Sequence, residues 1–485
     1  MKRHRKLGLI LFTAAIVFSM LACGGGTTAP TATVPPPAPT NTPVPPPPTD
    51  TPPPPPTDTA VPPTEPPATE APAATEATTD TTGDLERVPG QLNIISLNGF
   101  QDEWEDWHIV GLIANDTERT VSDMEVEVEI FDANGASLYK EVAYAMLYNL
   151  APGETSPFDL WVYDDLAGPD HFTATMVGQG SSDVERAAVD VGNVVRVVDD
   201  YDSINLTGEV TNNGTTPVEV NGAAAALFDA EGKMITAAYI SVVQHHLEAG
   251  ETGPFRFSLS VPEDQIEAAT DYKLYWDAVV SDPADLVDLS FSDFYDYMDT
   301  YDNFHLAGLI TNNSTKNMSV SMVAGIYDAD GNVVDASSLS LPLYYVAPGE
   351  TLPLDFDSWG PMNYTSDAYD KGDTYQVSVD YYWTYESYSD LAKVSTKDDS
   401  NTFSADEAKF IGYVVNDSGK DLSGATVIVA LYEKGTQKLW ATEYDWLFDD
   451  IAAGAEVPYE VTVYLPSGVD ATMVDIVISA MGDLP

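Results

Sequence analysis

Met124-Glu-Val-Glu-Val-Glu-Ile130 alternates apolar and charged residues with a period of two. Successive side chains of an extended chain point to opposite faces, so Met124, Val126, Val128 and Ile130 share one face and Glu125, Glu127 and Glu129 the other. Such a strand belongs to an antiparallel sheet that covers a core on one side and meets water on the other. It runs straight into Phe131-Asp132-Ala-Asn-Gly135, whose glycine can take the positive φ that closes a tight hairpin.

This passage is one of four copies. The strand-and-turn recurs as Phe228-Asp229-Ala-Glu-Gly232, as Tyr327-Asp328-Ala-Asp-Gly331 and, in degenerate form, as ALYEKGT at 430–436. Ahead of each stands a strand ending in Gly-x-x-x-Asn: Gly111 to Asn115, Gly208 to Asn212, Gly308 to Asn312 and Gly412 to Asn416, at spacings of 97, 100 and 104 residues. Behind each comes a turn entering another strand: LAPGETSPF at 150–158, LEAGETGPF at 247–255, VAPGETLPL at 346–354 and IAAGAEVPY at 451–459. Pro152-Gly153 and Pro348-Gly349 suit type II turns, proline setting the first central φ and glycine the second. Three landmarks in one order, four times, record duplication.

The period decides the architecture. Solenoid units of about 20–50 residues cannot bury a core singly. A unit of about 100 residues can, and is the size of an immunoglobulin-like sandwich. The expectation is an all-β chain of four tandem immunoglobulin-like antiparallel β-sandwich domains at 85–191, 192–285, 286–388 and 389–485, semi-rigid because the connections are short. A turn or two of helix is expected only at 262–270.

The Phe131-Asp132, Phe228-Asp229 and Tyr327-Asp328 pairs before a glycine turn, with the Gly-x-x-x-Asn strand end and the Pro-Gly-Glu turn, resemble the bacterial FxLyD family of extracytoplasmic β-sandwich domains. The resemblance covers most of 85–485. It is weakest in the fourth copy, where Glu433-Lys434-Gly435 replaces the acidic turn and Ala455 the turn glutamate. It implies an immunoglobulin-like fold and brings no active site with it.

The first 22 residues read as a signal peptide: Lys2, Arg3, Arg5 and Lys6 precede an apolar run from Leu7 to Leu21 that is short for a membrane span. The run ends directly before Cys23, the sole cysteine. Leu21, Ala22 and Cys23 resemble the lipobox of lipoproteins cut by signal peptidase II, although Met20 stands where that pattern usually has leucine. The resemblance implies that Cys23 carries acyl chains, and several chains at about 0.8 kcal/mol per buried methylene hold a protein on a membrane without a transmembrane helix. The expected location is therefore extracytoplasmic, lipid-anchored at the cell surface. One cysteine excludes disulfides, a cysteine zinc site and a CxxC pair.

Residues 23–84 read as a disordered Pro/Thr-rich spacer, with 20 of the 35 prolines between Pro30 and Pro72. In polyproline II geometry it would reach on the order of 150–190 Å if fully stretched, carrying the folded part clear of the lipid. The chain carries 77 acidic against 20 basic residues, a formal net charge of −57, which argues against a nucleic-acid partner. The partners left are membrane lipid at Cys23 and an envelope glycan or surface protein.

Four groups of residues could bear chemistry. Asp328-Ala-Asp330-Gly331-Asn332 imitates the start of a calcium loop, but Leu339 stands where an EF-hand needs its bidentate glutamate, so the hairpin reading is preferred. Acidic stretches recur before the Gly-x-x-x-Asn strand, with Asp199, Asp200 and Asp202 in one copy and Asp299 and Asp302 in the next, as candidates for structural calcium between domains. The third copy is rich in aromatics, and Tyr297 and Trp383 are candidates for stacking on a sugar ring. The histidines are scattered, without HExxH, G-x-S-x-G or a phosphate loop, so no catalytic residue or cofactor is expected. Asn-x-Ser/Thr occurs at Asn115, Asn205, Asn213, Asn312, Asn313, Asn317, Asn363 and Asn416, the repeated ones read first as turn asparagines.

Overall fold

The computed structural model describes residues 76–78 and 87–484, apart from 103–104, 200–202, 262–264, 283–287, 302, 342–345, 359–371, 386–390 and 437. Cys23 and nearly all of the Pro/Thr-rich segment lie outside the described residues. Among those described, no helix is long and apolar enough to cross a membrane.

The strands are antiparallel and arranged as sandwiches. In the first repeat, Leu92–Gln101, Trp107–Asn115 and Thr155–Val162 make a three-stranded sheet with Trp107–Asn115 central. Val121–Asp132 is flanked by Ser137–Tyr144 and Pro169–Ser181 in the facing sheet. The second repeat has Asp190–Val198, Ile204–Thr211 and Thr252–Leu259 in one sheet and Met234–Val243, Val218–Phe228 and Asp271–Val280 in the other. The third repeats the pattern around Phe304–Asn312 and Asn317–Asp328, and the fourth around Glu407–Val415 and Gly424–Glu433. The all-β sandwich expected from the alternation is what the chain forms.

The sequence landmarks are the joints of this unit. Gly111 lies directly across from Phe158, Gly208 from Phe255 and Gly412 from Tyr459. The facing ring occupies the space a Cβ would need, Phe158 filling that position on Gly111. In the third repeat Leu354 faces Gly308, and Phe294 of the neighbouring strand supplies the ring instead. The asparagines that close the same strands, Asn115, Asn212, Asn312 and Asn416, are fully buried. Each donates from Nδ2 to two backbone carbonyls, Asn312 to Lys316 at 2.7 Å and Val346 at 2.8 Å. Asn115, Asn212 and Asn416 do the same. These are turn asparagines, as expected. Glu154, Glu251 and Glu350 of the Pro-Gly-Glu turns and their counterpart accept the backbone N–H three residues earlier. In the fourth repeat, where Ala455 has no carboxylate, Asp421 accepts from Ala453 instead. Asp132, Asp229 and Asp328 each accept two backbone N–H groups of their own hairpin, so the calcium-like loop at Asp328 is a turn.

The repeats are not separated. Val218–Phe228 and Met234–Val243 of the second repeat lie on the three-stranded sheet of the first. Ala224, Ala226, Met234, Ala237 and Tyr275 belong to the same apolar cluster as Ile109, Val110 and Ile113. Val242 packs with Val323, Tyr327, Val333 and Ala336 at the next junction, and Tyr297, Ala307 and Leu309 join the core of the fourth repeat. The three-stranded sheet of one repeat thus receives the facing sheet of the next, and its central strand is dry on nearly its whole length. Burial records it: Phe304–Asn312 is buried at every position except Thr311, whereas the matching strand of the fourth repeat, Glu407–Val415, is buried only at alternate positions.

The wet outer face expected from Glu125, Glu127 and Glu129 holds for the first repeat, where those side chains are partly exposed and Lys140 reaches Glu127 and Glu129. Its counterpart Gly424–Glu433 has its first eight residues buried. The reason is position: among the described residues no other repeat packs on that face of the first one. At the other end Lys409 pairs with Glu460 and Lys397 with Glu456 on the uncovered sheet. Stacked repeats need polar terminal faces to stay soluble.

Two expected boundaries shift. Glu76–Thr78, within the segment read as linker, pairs with Thr173–Thr175 on the otherwise open edge of the first repeat. Asp190–Val198 belongs wholly to the second repeat, so a break after residue 191 would cut it.

Candidate functional site

The chemistry-bearing side chains gather at the seams between repeats. At the first seam Asp277, with no exposed side-chain surface, accepts from the backbone N–H of Asn149 at 2.8 Å and from Arg186 Nη1. Arg186 also donates to the carbonyls of Ala278 and Trp276 and to Glu154. Burial raises the Asp277 carboxyl above its usual range, and Arg186 with Asn149 opposes that rise. At the second seam Arg256 Nη1 donates to the fully buried Asp335 at 2.9 Å, Thr207 to the carbonyl of Val333, and His245 Nδ1 meets Asp380 at 2.9 Å. A buried arginine with a matching carboxylate fixes register between two faces, while either one left alone would be costly.

A histidine centre lies in the third repeat. His305 stacks on Tyr297 at 4.6 Å with an interplanar angle of 4°. Its Nδ1 is 2.9 Å from Asp355 Oδ2, and its Nε2 is 3.5 Å from Asp299 Oδ2. Burial by itself would lower the His305 pKa, but the Asp355 charge and the contacts to both carboxylates outweigh it and push the pKa up to about 10. Tyr297 donates to Asp355 as well, and burial raises its phenol well above the usual range. The first repeat builds the same group: His108 stacks on Phe100 at 4.9 Å, with Asp159 at 2.8 Å and Asp102 at 3.7 Å. In the second repeat Asn205 takes the histidine position and donates to Asp199. In the fourth, Lys409 faces Glu460.

His305, 4% exposed and held between two carboxylates that favour its cation, ties its strand to the hairpin of Asp299 and to the strand of Asp355. The two carboxylates lie against opposite nitrogens of the ring, so they do not converge on one cation position. Among the described residues no group of three His, Cys, Asp or Glu is placed to hold a metal ion.

Of the residues singled out in the sequence, Asp299 and Asp199 are buried and engaged by their own hairpins: Asp299 accepts from the N–H groups of Tyr301 and Asn303, and Asp199 from Ser203. Both carboxylates cap their own turns. Asp200, Asp202 and Asp302 lie outside the described residues. Tyr297 is 4% exposed and offers no open face to a sugar, because the sheet stacked above it and the His305 ring cover it. Trp383 pairs with Ser319 in strand Gly372–Tyr385, and its side chain lies outside the described residues. The histidine centre matches none of the catalytic or metal motifs. A signal for it was nonetheless present: His108 and His305 stand three residues before the repeat glycine, and Asp159 and Asp355 follow the residue facing that glycine.

A cleft of about 390 Å³ opens where the second, third and fourth repeats meet, with Arg256, Asp355 and Glu443 in its wall.

No family model matches the chain, and no curated protein matches it in sequence. Solved structures share fragments of it. A red sea bream transglutaminase aligns over 41% of this chain and 30% of its own length at 11% identity and a TM-score of 0.13. The native E. coli alpha-2-macroglobulin aligns over 81% and 27% at 10% identity and 0.12, and dimeric latent PorU from Porphyromonas gingivalis over 82% and 33% at 9% identity and 0.13. The chain spans about a third or less of the length of each, and scores this low carry no argument about function.

Proposed function

We propose that this chain is a non-catalytic surface lipoprotein of the FxLyD type, anchored through acylated Cys23 and serving as an envelope-associated stalk or interaction module. The supporting observation is the use to which its charged and aromatic side chains are put. Arg186, Arg256, His108 and His305, with their carboxylates, join one strand or one repeat to the next and bring no nucleophile against a base. Sheet-on-sheet stacking makes a stiff unit of four repeats, and a Pro/Thr spacer from a lipid anchor would lift that unit off the membrane.

The anchor is tested by expressing the full chain in a bacterial host with an alkyne-bearing fatty acid. Label on the wild type that is lost in Cys23→Ser, with the variant released from the membrane fraction, supports the reading. An unlabelled wild type recovered in the medium refutes it.

A further inference from the structure

The residues on either side of the repeat glycine point out of the three-stranded sheet, toward the next repeat: Ala307 and Leu309 join the core of the fourth repeat, and Thr207 donates to the Val333 carbonyl of the third. Val110, Thr207 and Ala307, which precede that glycine in the first three repeats, are fully buried. Leu112 and Leu309, which follow it in the first and third, are buried as well. In the fourth repeat the same two places hold Ile411 and Tyr413, which are 46% and 42% exposed. Neither faces its own core, because Phe410 and Val414, which alternate with them, fill it.

The fourth repeat thus keeps apolar side chains where the others are covered. Tyr413 lies across from the exposed Pro458, which widens the apolar middle of the face. Around it Lys397 pairs with Glu456 and Lys409 with Glu460. An apolar centre inside a polar rim is the anatomy of a protein–protein contact.

The open face at the other end of the stack is built differently, with Glu125, Glu127 and Glu129 along its central strand. A head-to-tail contact would press those carboxylates onto Ile411 and Tyr413, at the cost of their water. A second copy of the fourth-repeat face fits better. A two-fold axis lays Ile411 and Tyr413 on their own counterparts, and lysines of one copy meet glutamates of the other because the rim carries both signs. On a chain of formal net charge −57 that balance matters, since a face of carboxylates alone would repel its copy.

We infer that the open sheet of the fourth repeat, with Glu407–Val415 at its middle, is the contact of a symmetric homodimer. Ile411 and Tyr413 form its centre, and the Lys397, Lys409, Glu456 and Glu460 side chains pair across the axis. This goes beyond the anchored stalk and does not rest on it.

The test is sedimentation velocity on the full chain carrying Cys23→Ser, in which no acyl group can join copies, from about 1 to 100 µM. A monomer–dimer equilibrium is expected. Ile411→Glu and Tyr413→Glu each bring like charges together at the axis and are expected to weaken it by about tenfold or more, with thermal unfolding unchanged because both sites are exposed. Lys409→Glu alone is expected to weaken it too, and Lys409→Glu with Glu460→Lys to restore it. Glu127→Lys, on the open face of the first repeat, is expected to leave the dimer as it is. A wild type that stays monomeric overturns the inference, as does a dimer indifferent to both glutamate variants or a charge swap that restores nothing. Oligomers that grow beyond the dimer and are lost in Glu127→Lys overturn it in favour of head-to-tail stacking.

Discussion

Arg186 and Asp277 form a buried ion pair across the first seam, and Asn149 of the preceding repeat closes onto the same carboxylate. The Asp277 side chain has 0% exposure and that of Arg186 13%, so neither charge has water to fall back on. The contact ties three segments, the end of one sandwich, the connection, and the last strand of the next. Its value lies in fixing how two apolar sheets meet, because dispersion alone would tolerate sliding.

Asp277→Ala therefore leaves Arg186 buried without its main counter-charge. The expected loss is about 3–5 kcal/mol, larger than for Asp277→Asn, which keeps an acceptor for Asn149. Urea unfolding of the two variants beside wild type checks the order. Equal loss would mean that the seam is held by its apolar contacts.

Asn312→Ala removes both amide donations to the Lys316 and Val346 carbonyls in the third repeat. Val346 keeps the Met318 N–H and Lys316 the Ser314 hydroxyl, so the loss is of two hydrogen bonds to a buried amide and should cost about 1–3 kcal/mol. Replacement of the exposed neighbour Asn313 should cost under about 0.5 kcal/mol. Thermal unfolding monitored by circular dichroism separates them.

His305 makes stability depend on pH in a defined direction. Its folded pKa, about 10, lies above the ordinary value of 6.5. The folded state therefore holds the proton more tightly than the unfolded one. The contribution is complete below about pH 6.5 and is lost as pH rises through about 10. Asp355 and Asp299 are the charged groups that bear on it, and Tyr297 is stacked on its ring. His305→Asn, which copies Asn205 of the second repeat, should flatten the difference in unfolding free energy between pH 6.5 and pH 10 relative to wild type. Parallel pH profiles for the two proteins would contradict the arrangement.

Equivalent positions on the covered and uncovered sheets should respond differently to a change of charge. Ala226 is fully buried against the first repeat, so Ala226→Glu places a carboxylate in a dry seam and should cost several kcal/mol, on the order of 3–5. In the first repeat Glu129 stands on the uncovered face, and Glu129→Ala should change stability by about 0.5 kcal/mol or less. Differential scanning calorimetry of both variants reads the contrast.

The order of amino acids was enough to define the unit: its length, its strands, its turns and the places where glycine, asparagine and a facing ring must meet. These are local matters, set by the two-residue period of a strand and by turn chemistry within a few residues, and they repeat four times. Even the Asp328 loop could be read as a hairpin from its glycine and from the absence of a twelfth-position glutamate. What covers the second side of each sheet was another matter. Runs such as Ala223-Ala-Ala-Ala-Leu227 and Val427-Ile-Val-Ala-Leu431 are apolar at successive positions, which announces burial on both faces but does not name the neighbour. That neighbour comes from the adjoining repeat, 136 residues away in the contact from Asn98 to Met234. Only the packed molecule reveals that Tyr297 is covered, that Asp199 and Asp299 cap turns, and that Arg256 and Asp355 come together around one cleft. A strand's period specifies which side each residue faces, whereas the partner on that side is chosen by how whole sheets fit against one another.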